Sequence, residues 1–92
     1  MARVVVSLRI MPKSPDVNLD ELEKKAKHEI VAFCKSEEFK VEVQPIAFGI
    51  KALIILFVME ESIGNTEKLE QKISQIEGVE SVEVTDVRRT IG

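Results

Sequence analysis

The chain has no tryptophan, no tyrosine, four phenylalanines, one cysteine and one histidine. The single cysteine, Cys34, rules out an internal disulfide. With His28 as the sole imidazole, no His/Cys ligand set can form, so no zinc site of ordinary composition is expected. Both residues fall in one predicted helix but on different faces, which leaves a Cys34 nucleophile without a base. Cys34 reads instead as a small core residue and His28, between Lys27 and Glu29, as solvated. Gly49, Gly64, Gly78 and Gly92 are isolated, so there is no glycine-rich phosphate loop. The longest apolar run, Ala52 to Met59, is far short of the ~20 residues that span a bilayer. No signal peptide is expected either, because Val4-Val5-Val6 is followed at once by Ser7 and Arg9. The expectation is a cytoplasmic protein with no membrane segment, no cofactor and no metal.

What is present suits one small domain over residues 1–92. Hydrophobic residues make up 45% and charged residues 32% of the 92, an ordinary globular balance that excludes disorder. A domain of this size builds one core without covalent staples. Thirteen basic and sixteen acidic residues give a net charge of −3, which argues against a nucleic-acid partner, although Arg88 and Arg89 form a small local basic patch. The adjacent carboxylates Glu37-Glu38 and Glu60-Glu61 sit in polar connections, where solvated charge is the norm. No catalytic constellation emerges, and the chain reads as a binding domain rather than an enzyme.

Periodicity supplies the architecture. From Arg3 to Met11 the residues alternate, with Val4, Val6, Leu8 and Ile10 on one face and Arg3, Val5, Ser7 and Arg9 on the other, which predicts a strand ended by Pro12 and Pro15. Asn18 and Glu21 form a capping-box pattern ahead of Leu19, Leu22, Ala26, Ile30 and Phe33, which predicts a helix over about Leu19 to Lys35. Phe39, Val41 and Val43 alternate with polar residues as a half-exposed edge strand before Pro45. Ile50 to Met59 is apolar almost throughout, as in a central strand with both faces at least partly covered. A second helix capped by Asn65 or Thr66 carries Leu69, Ile73 and Ile76 on one stripe and is expected to stop at Gly78. Val79, Val82, Val84 and Val87 mark a last strand to about Val87. The order β-α-β-β-α-β predicts an α+β ferredoxin-like sandwich: a four-stranded antiparallel sheet with two helices on one face and the first and third strands central.

That fold hosts many functions. An RNA-binding module stacks bases on aromatics of its central strands. Here only Phe57 offers a ring for an open face. A regulatory ligand-binding module would favour a glycine-rich loop after the first strand, yet Met11 to Leu19 holds no Gly and two Pro. The anomaly is the stretch Pro45-Ile46-Ala47-Phe48-Gly49-Ile50-Lys51-Ala52-Leu53, which sets a Phe at a hairpin tip where small polar residues are usual. Such a ring either meets a partner or closes the end of the core.

This stretch resembles the guanine-nucleotide-exchange domains of the elongation factor 1-beta family, closest to the short archaeal type. Two further segments carry the likeness: the first strand running into Met11-Pro12-Lys13-Ser14-Pro15, and Ile76-Glu77-Gly78-Val79 through Val84 to Arg89. The resemblance implies the same β-α-β-β-α-β fold. It implies a partner, the GTPase elongation factor 1-alpha, whose GDP release the domain promotes by binding. It also implies a contact surface: Phe48 as an apolar anchor with Gly49 beside it, Lys51, and Asp86, Val87, Arg88 and Arg89. Eukaryotic members end with a Lys that disturbs the Mg²⁺ site. Here the sequence ends Arg88-Arg89-Thr90-Ile91-Gly92 without one, so an arginine is the expected cation.

Overall fold

Strict alternation makes the first strand the spine of the sheet. β1 (Arg3–Pro12) buries Val4, Val6, Leu8 and Ile10, while Val5, Ser7, Arg9 and Met11 stay half-exposed on the other face. The computed structural model describes residues 3–35 and 38–89. α1 (Leu19–Cys34), β2 (Phe39–Pro45), β3 (Lys51–Glu60), a 3₁₀ turn (Glu61–Ile63), α2 (Glu67–Ser74) and β4 (Val79–Arg89) follow. The strands pair antiparallel in the order β2-β3-β1-β4, so the two apolar-rich strands are central, as their patterns predict. Arg3 lies opposite Glu60, and Ile10 opposite Leu53. β1 enters its last pair at Pro12, opposite Val79, rather than stopping before the proline.

The helices form where their caps permit. Asn18 Oδ1 accepts from the backbone N–H groups of Asp20 at 3.0 Å and Glu21 at 3.2 Å, which satisfies donors the first turn cannot pair itself. Lys35 leaves α1 in the left-handed region (φ 59°), and its N–H donates to the Val31 carbonyl at 2.8 Å. In α2 the cap is shared. Asn65 Oδ1 accepts from Glu67 N–H at 3.1 Å, while the Thr66 hydroxyl donates to Glu70 Oε2 at 2.9 Å. α2 ends at Ser74, short of the expected stop at Gly78. Gly78 (φ 95°) instead turns the chain into β4. Its carbonyl accepts from Lys13 N–H at 2.8 Å, and an added Cβ would stand 3.1 Å from Val17 Cγ1. The glycine is therefore needed for a close approach to the loop after β1.

Leu22, Ala26 and Ile30 of α1 and Leu69 and Ile73 of α2 complete one core with Val4, Val6, Leu8, Ile10, Leu53, Ile55, Phe57, Met59 and Val79. Cys34 packs at its margin, half-buried, with its thiol 3.3 Å from the Ile30 carbonyl oxygen. No helix among the described residues is long and apolar enough to cross a membrane.

Phe57 corrects an expectation. It shares the face of Leu53, Ile55 and Met59 and is 1% exposed, so it belongs to the core and not to the open face. Phe33 and Phe39 also pack against the core. None of these rings is available as a stacking platform for RNA. Phe57→Ala should therefore lower unfolding free energy by about 3–5 kcal/mol, as for a buried aromatic. The urea midpoint measures this, and a change under about 1 kcal/mol would place the ring outside the core.

Candidate functional site

The β2–β3 connection is a tight turn. Ile50 N–H donates to the Ala47 carbonyl at 3.0 Å, and Ile46 N–H to the Ile50 carbonyl at 2.8 Å. Phe48 and Gly49 occupy the two central positions with φ of 56° and 76°. Positive φ at both is the pattern of a type I′ turn, whose twist matches that of a hairpin. Gly adopts it freely, but an L-residue with a Cβ is disfavoured there by about 1–2 kcal/mol. Phe48 is nevertheless 96% exposed. The ring therefore does not close the core, and no packing within the described chain offsets the backbone cost. Ile46, which the sequence reading passed over, is also exposed and extends the apolar tip. A Cβ on Gly49 would lie 3.9 Å from Pro15 Cγ, so the tip stands near the loop after β1. Lys51 is exposed where β3 begins, opposite Pro45.

The second group of candidate residues sits at the other end of the sheet. Arg88 pairs with Val5, and Arg89 with Val4. At about 3.3 Å per residue, the level of Val5 is about 20 Å from that of Met11, and the Phe48 tip lies beyond Met11. The structure thus does not bring Phe48 together with residues 86–89.

Nor do the two arginines form one basic patch. The register of β1 against β4 shifts between Ser7 and Leu8, whose partners are Asp86 and Val84. Thr85 is the extra residue of a bulge. Its hydroxyl lies 3.1 Å from Ser7 Oγ and 3.3 Å from the Ser7 carbonyl oxygen. After the bulge the faces exchange. Val87, opposite Val6, and Arg89, opposite Val4, turn to the helix side; Asp86, opposite Ser7, and Arg88, opposite Val5, turn to the open face. Arg88 Nε then meets Asp86 Oδ2 at 2.6 Å, and Arg89 Nη2 meets Glu61 Oε1 at 2.5 Å. The signal was in the sequence: Val79, Val82, Val84 and Val87 are spaced three, two, three. Each three marks a register shift, the other falling between Met11 and Pro12.

Residues 5–90 match the model of the EF-1 guanine nucleotide exchange domain. The chain belongs to this family. It is 44% identical over 89 residues to elongation factor 1-beta of Methanothermobacter thermautotrophicus, covering 97% of this chain and 98% of that protein. It is 43% identical over 90 residues to elongation factor 1-beta of Hyperthermus butylicus, covering 97% and 96%. Among solved structures, the de novo designed protein Foldit4 superposes with a TM-score of 0.63 at 22% identity, covering 98% of both chains. The C-terminal domain of a cyclometallase involved in the synthesis of the NPN cofactor of lactate racemase gives 0.60 at 11% identity, covering 99% of this chain and 58% of that one. These two likenesses speak to the fold alone. Membership of the exchange-domain family assigns the chain a role in EF-1 nucleotide exchange, which implies a GTPase partner.

The strain at the tip of this exchange domain gives a direct test. Phe48→Gly should raise unfolding free energy by about 1 kcal/mol, because glycine accepts the left-handed turn without a Cβ clash. Chemical denaturation reads the shift. A loss of stability would mean that the ring packs on the fold.

Proposed function

We propose that this chain, as a single exchange domain over residues 1–92, binds elongation factor 1-alpha and promotes its GDP release, so that GTP can rebind and restore the form that carries aminoacyl-tRNA. The family match over residues 5–90 carries the reading. The exposed Phe48 supports it, since large aromatics dominate binding energy when a partner buries them.

The physics is linkage without a covalent step. A protein that binds the nucleotide-free GTPase more tightly than the GDP-bound form must weaken GDP by the same factor. Mg²⁺ and the loops around the phosphates hold the nucleotide, so contacts that displace either loosen GDP. In this reading Phe48 is the apolar anchor, flanked by Gly49 and by Lys51, whose ammonium meets the partner at the base of the tip. Asp86, Val87, Arg88 and Arg89 form the second contact, and an arginine there supplies the cation near the Mg²⁺ site. Their separation suits one partner. An interface of standard size covers about 800 Å² per side, a patch roughly 30 Å across. Thr90, Ile91 and Gly92 lie outside the described residues.

Fluorescent GDP release from purified elongation factor 1-alpha, with and without this protein, tests the reading. Acceleration at micromolar protein is expected, and its absence would refute the proposal. Phe48→Ala should slow stimulated release by about tenfold or more without unfolding the protein. Wild-type release by this variant would remove Phe48 from the contact surface.

A further inference from the structure

The two arginines at the end of β4 are held in different ways. Arg88 pairs with Asp86 on its own strand, so the partner travels with it. Arg89 reaches across the fold to Glu61, 28 residues away in sequence. Glu61 opens the 3₁₀ turn that leaves β3. Gly64 N–H closes that turn onto the Glu61 carbonyl at 3.1 Å, with Gly64 at a φ of 89°. The carboxylate is thus carried by a short closed turn on a central strand. The cavity beside it is lined by Val4, Val6, Met59 and Val84.

β4 is an edge strand, bonded only to β1, and edge-strand ends open at low cost. The Glu61–Arg89 pair opposes that opening by tying the strand end to the body of the fold. Because Arg88 is adjacent and points to the opposite face, fixing Arg89 also fixes the direction in which Arg88 leaves the sheet.

We propose that Glu61 is a positioning residue for nucleotide exchange: by holding Arg89 it docks the end of β4 and aims Arg88 from the open face at the GTPase. This rests on the reading above, in which the end of β4 meets elongation factor 1-alpha. Of the two arginines in that contact region, Arg89 is then the anchor that braces the strand end, and Arg88 is the one that supplies the cation to the partner. The pair is exposed, with side chains 39% and 75% accessible, so its effect is modest and screened by salt.

The test compares Glu61→Gln, Arg89→Gln, the two combined, and the reversed pair Glu61→Arg with Arg89→Glu. Stimulated GDP release is measured against exchange-factor concentration. Each single variant should lose about two- to fivefold, the range of an exposed ion pair. The combined variant should be no worse than either, and the reversed pair should recover most of the loss. Hydrogen exchange of those backbone amides in residues 86–89 that donate to β1 should accelerate in the single variants of the free protein and slow again in the reversed pair, a readout independent of the GTPase. Wild-type release by Glu61→Gln overturns the proposal. So does a reversed pair as slow as Arg89→Gln, because the charge of Arg89 would then act on the partner directly and not through Glu61. Arg88→Ala separates this from the broader reading. Slow release by Arg88→Ala with wild-type release by Glu61→Gln removes the positioning role alone. Wild-type release by Arg88→Ala removes the contact on which the role depends.

Discussion

The structure depends on β1 being paired on both edges. Its period-two alternation assigns Val4, Val6, Leu8 and Ile10 to the inside, and hydrogen bonding to β3 and β4 imposes that choice on both neighbours. A slip of one residue would expose the whole inner set. On β3 the register is unbroken from Arg3 opposite Glu60 to Ile10 opposite Leu53. β4 follows the same template with two shifts, and these decide which way its last residues face. The orientation of the candidate contact residues is thus a consequence of core packing, transmitted through a ladder.

That dependence explains how much could be read from the sequence. Alternation in β1, the capped amphipathic α1 and the apolar run of β3 each carry one strong period, and all three elements formed as expected. The second helix was harder. Ile76 continues the stripe of Leu69 and Ile73, yet it sits in the turn after the helix because Gly78 must approach Val17. Only tertiary contact makes that demand. In β4 the three-two-three spacing of its valines encoded both bulges, but a count of apolar residues passes over spacing. Arg88 and Arg89, as neighbours on a strand, face opposite ways in any register, and it is the unpaired Thr85 that gives the open face to Arg88 and the helix side to Arg89.

The tip presents the converse case. Phe48 followed by Gly49 signals a turn with positive φ, because glycine is the natural occupant of its second central position. The sequence does not say where the ring points, since burial of an aromatic depends on what stands opposite it. Here Pro15 lies near Gly49, and the ring is left in solvent. Phe48 thus combines an unfavourable backbone conformation with an unburied apolar side chain. Both disfavour the free protein, which fits a residue kept for a contact made outside the chain.

A hairpin tip and a strand end also differ as contact elements. Phe48 projects from a turn closed by two backbone hydrogen bonds and mounted on a central strand, so little freedom is lost when a partner covers it. The end of β4 has one neighbouring strand and relies on side-chain pairs to hold its direction. An exchange factor must bind tightly and then leave once GTP enters, which favours one rigid anchor and one contact held by exposed charge. In the proposed reading, burial of the anchor would contribute most of the affinity, while the charged end would change the environment of the nucleotide at little energetic cost. Because exposed ion pairs are worth about 1 kcal/mol or less, a strand end that gave up its carboxylates to reach a partner would re-pair with them at little cost on release.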